Sequence, residues 1–199
     1  MRLFVAVFPP PEVQQAAART IEALRRPNDG VSWVKPDNLH FTMRFIGEVG
    51  DDGARRVTEA AREAVRGRPA FDAALGGLGA FPNPRRARVI WLGLGTGEAP
   101  MVDLARALES GLERRGFDRE RQKFSAHLTL GRVRVPGSDW TERLARAAPE
   151  SAPHAAREPA PHAAREATRF RVSRLAVVQS QLSPKGSIYT VCEAPELAG

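Results

Sequence analysis

Residues 39–47 read LHFTMRFIG and residues 126–133 read AHLTLGRV, so a histidine followed two residues later by a threonine occurs twice in similar apolar surroundings. The chain has only four histidines, and His40 and His127 are two of them. Side chains alternate between the two faces of a β-strand, so residues i and i+2 lie on one side. Each stretch therefore predicts a half-buried strand with an apolar row toward the core and a histidine and a threonine on its open face.

Simple alternation assigns the polar residues around these motifs to faces. It puts five of them on the open face, namely His40, Thr42, Arg44, His127 and Thr129. Arg132 falls on the opposite face from His127, unless a β-bulge or a strong twist brings it round. Arg44 is thus expected on the same face as the histidines, although a solvated surface role fits it equally well.

Two imidazoles on facing strands suit general acid and base catalysis, because histidine titrates near neutral pH and one ring can accept a proton while the other donates one. The threonine hydroxyls beside them can donate hydrogen bonds to phosphoryl oxygens. An isolated strand histidine is more often a hydrogen-bonded structural residue, but the repetition of the pattern weakens that interpretation. The chain has no Cys/His ligand spacing, carboxylate cluster or Gly-rich phosphate loop, so we expect neither a metal nor a cofactor.

The composition is that of a folded domain with a preference for anions. Hydrophobic residues make up 42% of the 199 positions, and the net charge is +7 with a pI of about 10.8. Cys192 is the sole cysteine, which excludes an internal disulfide and fits a reducing cytoplasm; we expect it to be a small buried residue on a strand. The apolar run in MRLFVAVFPPPE is too short for a signal peptide or a membrane span, so no membrane association is predicted.

The order of predicted elements repeats along the chain. Val5 lies 35 residues before His40, and Trp91 lies 36 residues before His127. We therefore predict an α+β fold with a single domain over 1–199, made of two duplicated β-α-β-α-β lobes. Each lobe would have an antiparallel sheet with helices on its outer face, and the two motifs would face a central cleft. Because the duplication supplies internal symmetry, we expect a monomer.

One stretch breaks the repeat. APHAARE occurs at 152–158 and again at 160–166, and we interpret 149–167 as a mobile insertion loop. It carries the other two histidines, His154 and His162, for which no further metal ligands are evident.

With these motifs, the chain resembles a known family, the 2H phosphoesterases, and within it the RNA 2′,3′-cyclic phosphodiesterases, also called 2′-5′ RNA ligases. Five stretches that span nearly the whole chain carry the resemblance: RLFVAVFPP, VSWVKPDNLHFTMRFIGEV, GAFPNPRRARVIWLGL, FSAHLTLGRV and SQLSPKGSIYTV. The family usually has a proline just before the second histidine, where this chain has Ala126. That difference removes no reacting group.

The resemblance implies a bilobal α+β fold and an activity that opens a 2′,3′-cyclic phosphate at an RNA 3′ end, such as that of a tRNA half, to leave a 2′-phosphomonoester. It implies that His40 is the proton donor and His127 the proton acceptor, with Thr42 and Thr129 holding the phosphate. Arg132 stands where the family commonly has an arginine and is a further phosphate ligand on that basis.

Two alternatives stay open. The same fold could run the reverse reaction as a 2′-5′ RNA ligase, although water at about 55 M favours hydrolysis unless the ends are held together. The second alternative is a non-catalytic module that binds RNA ends, which would not need two matched histidines. Of the remaining residues, Phe124 and Tyr189 are candidates for stacking on a base, and the arginines at 85–88 and 114–115 are candidates for following an RNA backbone.

Overall fold

The computed structural model describes residues 1–135, 137–147, 168–184 and 186–199. The described part has nine strands, which are β1 Arg2–Val7, β2 Val31–Trp33, β3 Phe41–Glu48, β4 Phe71–Phe81, β5 Val89–Thr96, β6 His127–Val133, β7 Arg169–Val172, β8 Ala176–Ser183 and β9 Gly186–Glu193. It has four α-helices, which are α1 Pro11–Leu24, α2 Asp51–Val65, α3 Glu98–Glu113 and α4 Thr141–Ala147. The predicted α+β class is therefore confirmed.

The strands form one continuous antiparallel sheet in the order β7-β4-β5-β6-β3-β1-β8-β9, with β2 paired to β6. The predicted separation into two sheets needs correction, because β3 and β6 join the two halves through the pair Phe41 and Leu128. The sheet also exchanges strands between the halves of the chain. β5 pairs with β6, and β8 pairs with β1.

The sheet is strongly curled. Strand β7 lies at one end of the strand order and β8 near the other, yet only residues 173–175 connect them. A flat sheet would separate the two strands by about 29 Å, at about 4.8 Å per strand. The connection spans at most about 14 Å. Curling brings the two ends within this reach.

The two faces of the sheet differ in what covers them. On one face β-strand residues such as Val5, Phe41 and Leu128 are fully buried in the main core, to which all four helices contribute. Helix α1 packs against α4, and α2 packs against α3. On the other face lies a small apolar cluster that includes Phe4 and Val178. That face carries the histidines.

Some local predictions differ from the structure. The apolar stretch RFRVSRLAVVQS at 169–180, which by itself predicts one continuous strand, is divided between β7 and β8, because Ser173 and Leu175 form backbone hydrogen bonds with the C-terminal residues Leu197 and Pro195. Cys192 is exposed rather than buried, since β9 is the edge strand and pairs only with β8. The short strand β2 was not predicted, because three residues carry no periodic signal.

Two further findings concern only part of the chain. The expected insertion at 149–167, with His154 and His162, lies outside the described residues. Among the described helices, none is long and apolar enough to cross a membrane.

Candidate active site

His40 lies immediately before β3, where the backbone holds its ring in one orientation. Its Nδ1–H donates to the carbonyl oxygen of Asn38 at 2.7 Å, and the Thr42 hydroxyl lies 3.0 Å from its Nε2. Because a carbonyl can only accept, Nδ1 carries the proton, so in the neutral ring Nε2 accepts from Thr42. The pair predicted from the spacing is therefore in direct contact, and Nε2 is the ring nitrogen that faces Thr42.

Aromatic rings surround His40. The ring centroids of Phe4, Phe8 and Tyr189 lie 4.9, 5.4 and 5.4 Å from that of the imidazole. Asn38 also donates from its side-chain amide to the backbone of Ser187, which ties the β8–β9 hairpin to the first motif. The hairpin that carries Tyr189 thus forms one wall of the His40 site.

His127, the first residue of β6, is held in a closely similar way. Its Nδ1–H donates to the carbonyl oxygen of Ser125 at 2.8 Å. The rings of Phe81 and Trp91 pack edge-on at centroid distances of 5.1 and 6.5 Å. Thr129 is two residues along the same strand face, and its side chain is partly exposed like that of His127. Both motif histidines thus present Nε2 from a backbone-anchored ring.

Arg132 shares the histidine face because β6 contains a bulge. Trp91 pairs with Thr129 but Ile90 pairs with Gly131, so Leu130 is an extra residue and the alternation is reset after it. The structure therefore has the bulge that places Arg132 on the same face as His127.

Strand β2 packs against the bulge in β6. Trp33 pairs with Gly131, and a Cβ atom on this glycine would lie 2.7 Å from Val31 and 2.8 Å from the Trp33 ring. Trp33 is in turn anchored by its indole N–H, which donates to Asp29 at 3.3 Å. Only glycine fits under the Trp33 ring at this position.

Arg44 is not on the open face, which corrects the expectation from alternation. Strand β3 has a bulge at Met43, since Ala6 pairs with Thr42 but Val5 pairs with Arg44. The guanidinium of Arg44 consequently turns to the helix side, where it forms ion pairs with Glu109 at 3.0 Å and Glu120 at 2.9 Å.

The same bulge places Phe45 on the histidine face, opposite Phe4. Its side chain is 45% exposed, and the guanidinium of Arg2 lies 5.0 Å above its ring. Sequence reasoning missed Phe45, because unbroken alternation assigns it to the core. Of the two stacking candidates predicted from the sequence, Phe124 packs against the main core and Tyr189 against His40.

The electrostatics of the site favour neutral imidazoles. Burial lowers the pKa of His40, the hydrogen bond to Asn38 opposes this, and the positive charges of His127 and Arg132 lower it further. Burial likewise lowers the pKa of His127, with Arg132 adding to the effect against the hydrogen bond to Ser125. The charge of Arg132, which shares the face of both rings, thus acts in the same direction on the pKa of each histidine.

The other arginine clusters have different environments. Arg114 and Arg115 are paired with Glu63 between α2 and α3, which is a structural role. Arg86 and Arg88 are exposed and have no side-chain hydrogen bond or ion pair to any residue that the structure describes. Nowhere in the described ranges do three or more His, Cys, Asp or Glu side chains form a group that could hold a metal ion.

Comparison with known proteins identifies the fold as that of a class of phosphoesterases. The family described as "LigT like Phosphoesterase" matches residues 7–91. The chain is 35% identical to the RNA 2′,3′-cyclic phosphodiesterase of Methanothermobacter thermautotrophicus over 97% of each chain. It is also 35% identical to the protein of that name from Archaeoglobus fulgidus, over 95% of this chain and 96% of the other. The chain belongs to the LigT-like phosphoesterase family.

Solved structures have the same fold. The crystal structure of TT0787 of Thermus thermophilus has a TM-score of 0.76 at 29% identity and covers 99% of this chain, with 98% of that chain matched. Escherichia coli LigT, crystallised with 3′-AMP, has a TM-score of 0.73 at 23% identity, covering 100% of this chain and 98% of that one. The described architecture is thus that of the family.

Proposed function

We propose that this protein hydrolyses 2′,3′-cyclic phosphates at RNA 3′ ends to 2′-phosphomonoesters, with two histidines and no metal. The observation that carries the proposal is the common arrangement of His40 and His127. Each ring is fixed through Nδ1 by a backbone carbonyl two residues earlier, which commits Nε2 to the reacting group. The names of the relatives supply the substrate class.

In the proposed reaction, His127 Nε2 accepts a proton from a water molecule whose oxygen attacks phosphorus. The bond between phosphorus and O3′ breaks on the opposite side, and His40, protonated at Nε2, donates its proton to O3′. The products are a 2′-phosphate and a 3′-hydroxyl. Thr42, Thr129 and Arg132 would hold the non-bridging oxygens, whose charge grows in the transition state.

The acid must be protonated although its pKa is lowered in the free protein. The bound cyclic phosphate is an anion and favours the imidazolium form of His40, since an opposite charge nearby stabilises the charged state. The Thr42 hydroxyl, which donates to neutral Nε2, is then free to rotate and donate to the phosphate instead. Substrate binding would thus favour protonation of His40, which supplies the proton that the leaving oxygen needs.

Finer features predicted from the sequence also belong to this proposal. Bulges follow the threonine in both motif strands, at Met43 and Leu130, and this supports a duplicated origin with two pseudo-symmetric lobes. Exposed Phe45 offers an aromatic surface on which a base can stack. A monomeric, cytoplasmic protein is what we expect, and light scattering of the purified chain tests the first of these.

The test is product identification with a short RNA that ends in a 2′,3′-cyclic phosphate, in buffer with EDTA. We expect a 2′-phosphate from the wild type and a loss of about 10²- to 10⁴-fold in kcat for His40→Gln and for His127→Gln. Ligation would instead yield a longer RNA when a 5′-hydroxyl strand is added. If the RNA binds but the cyclic end persists in the wild type, the protein is a binding module and the proposed function is wrong.

A further inference from the structure

Just beyond the end of β6, the chain borders a cavity that is lined by arginines. Arg134 lies two residues beyond Arg132, and after the bulge both residues share a face, because Arg132 pairs with Ser32 and the Arg134 Nε donates to the Ser32 hydroxyl at 2.9 Å. Arg134 then lines a cavity of about 420 Å³ together with Arg86 and Arg88. A line of cations therefore leads away from the reacting groups.

The arginines of this cavity are available to a ligand in a way that other arginines of the protein are not. Those in and just after helices α2 and α3 are largely neutralised, as Arg55 and Arg115 are by carboxylates of Asp52, Glu59 and Glu63. Arg86 and Arg88 form no ion pair with a described residue, and the partner of Arg134 is an uncharged hydroxyl. Neighbouring Arg85 is the exception, since its charge faces Asp139.

Strand β3 has no matching line of arginines. By register from the bulges, the place that Arg132 takes on β6 is taken on β3 by Phe45. A second bulge at Ile46 follows, so the next residue on that face of β3 is Glu48, an acidic residue rather than an arginine. A strand advances by about 3.3 Å per residue, so the seven steps from His127 to Arg134 span at most about 23 Å. This is far longer than a single cyclic phosphate group.

A substrate with its reacting group at the 3′ end extends from the site in one direction only. We propose that Arg134, Arg86 and Arg88 bind the backbone phosphates of the single-stranded RNA that lies 5′ to the cyclic end. The inference rests on the proposed function and adds to it that the preferred substrate is an oligonucleotide rather than a cyclic mononucleotide. Arginine suits this role because its guanidinium presents a planar fork of donors to phosphate.

The experiment compares two substrates: a 2′,3′-cyclic mononucleotide, and an oligonucleotide of about eight residues with the same terminal base. In the triple variant Arg86→Gln, Arg88→Gln, Arg134→Gln, we expect KM for the oligonucleotide to rise at least tenfold, while kcat/KM for the mononucleotide changes less than twofold. Each phosphate contact contributes about 0.7 to the slope of log affinity against log salt for single strands, so that slope should fall by about 2.

A second triple variant with the same loss of charge is the control. Arg19, Arg66 and Arg68 are exposed and none of them lines the cavity, so their replacement by Gln should leave both substrates unaffected. Activity on the mononucleotide also shows that each variant is folded.

The outcomes separate this inference from the proposed function. If the wild type hydrolyses neither substrate, the proposed function fails. If it hydrolyses both but the Arg86, Arg88 and Arg134 variant keeps the wild-type KM and salt dependence, the RNA path is wrong and the function stands. Equal effects of the two triple variants would also overturn the path, because they would indicate a general effect of net charge.

Discussion

Phe41 of β3 pairs with Leu128 of β6, and both side chains are fully buried on the helix side of the sheet. Each is flanked by the histidine and the threonine of its own motif, which therefore lie on the opposite face. In an antiparallel register this pair sets His40 across from Thr129 and His127 across from Thr42. The buried pair thus aligns the four groups to which the proposed chemistry assigns roles.

The pH dependence of the wild type follows from the pKa shifts. Both histidines have pKa values lowered from 6.5, so the free protein holds one neutral and one protonated ring most often below that pH. We expect kcat/KM to be bell-shaped with its optimum below pH 6.5, and kcat to peak at a higher pH because the bound anion raises both pKa values. Steady-state rates between about pH 4.5 and 8.5 measure both profiles. A profile with one ascending limb alone would contradict the paired roles.

The histidine variants assign the two limbs. In His127→Gln the residual activity should lose the ascending limb, since the base is gone, and in His40→Gln it should lose the descending limb. Each variant should retain RNA binding within a few fold, as measured by fluorescence anisotropy with a cyclic-ended RNA. If both variants kept a full bell, the ionising groups would lie elsewhere.

Gly131→Ala tests the packing that brings Arg132 round. The new methyl group would meet Val31 and Trp33 below 3 Å, and overpacking of this kind costs about 1–3 kcal/mol of unfolding free energy. We expect a lower Tm and a raised KM, because β2 or the bulge must shift. Gly77→Ala is the matched control, since no atom lies within 4 Å of the added Cβ atom. Unchanged Tm and KM in Gly131→Ala would refute the packing argument.

Arg44 and Arg132 should give opposite results. Removal of the Arg44 side chain in Arg44→Ala leaves the half-buried Glu109 with the backbone N–H of Glu120 but without its ion-pair partner, which should cost about 1–3 kcal/mol of stability but little activity. Arg132→Ala removes an exposed cation beside both histidines, so we expect about a 10- to 100-fold loss in kcat/KM with little change in Tm, for a lost charged hydrogen bond of about 1.5–3 kcal/mol. Urea unfolding and steady-state kinetics of both variants provide the comparison.

Much of the fold could be predicted because its signals are local. In residues 12–26 apolar side chains recur at helical spacing, and the structure has helix α1 there, at Pro11–Leu24. The alternation in 39–47 corresponds to β3 at Phe41–Glu48. The pairing of strands was harder to predict. The halves of the chain exchange strands because β1 pairs with β8 and β5 with β6, and these long-range pairings depend on which edges lie together in the folded sheet.

The sequence by itself determined which residues form the candidate site at its centre. His40 with Thr42, and His127 with Thr129, share a face because a two-residue spacing within a strand is a local property of the backbone. Only the tertiary structure decided which arginine joins them. The bulges at Met43 and Leu130 arise from pairing with β1 and β5, which are distant in the chain. These bulges turn Arg132 toward the histidines and Arg44 away from them, since one extra residue reverses every side chain that follows it.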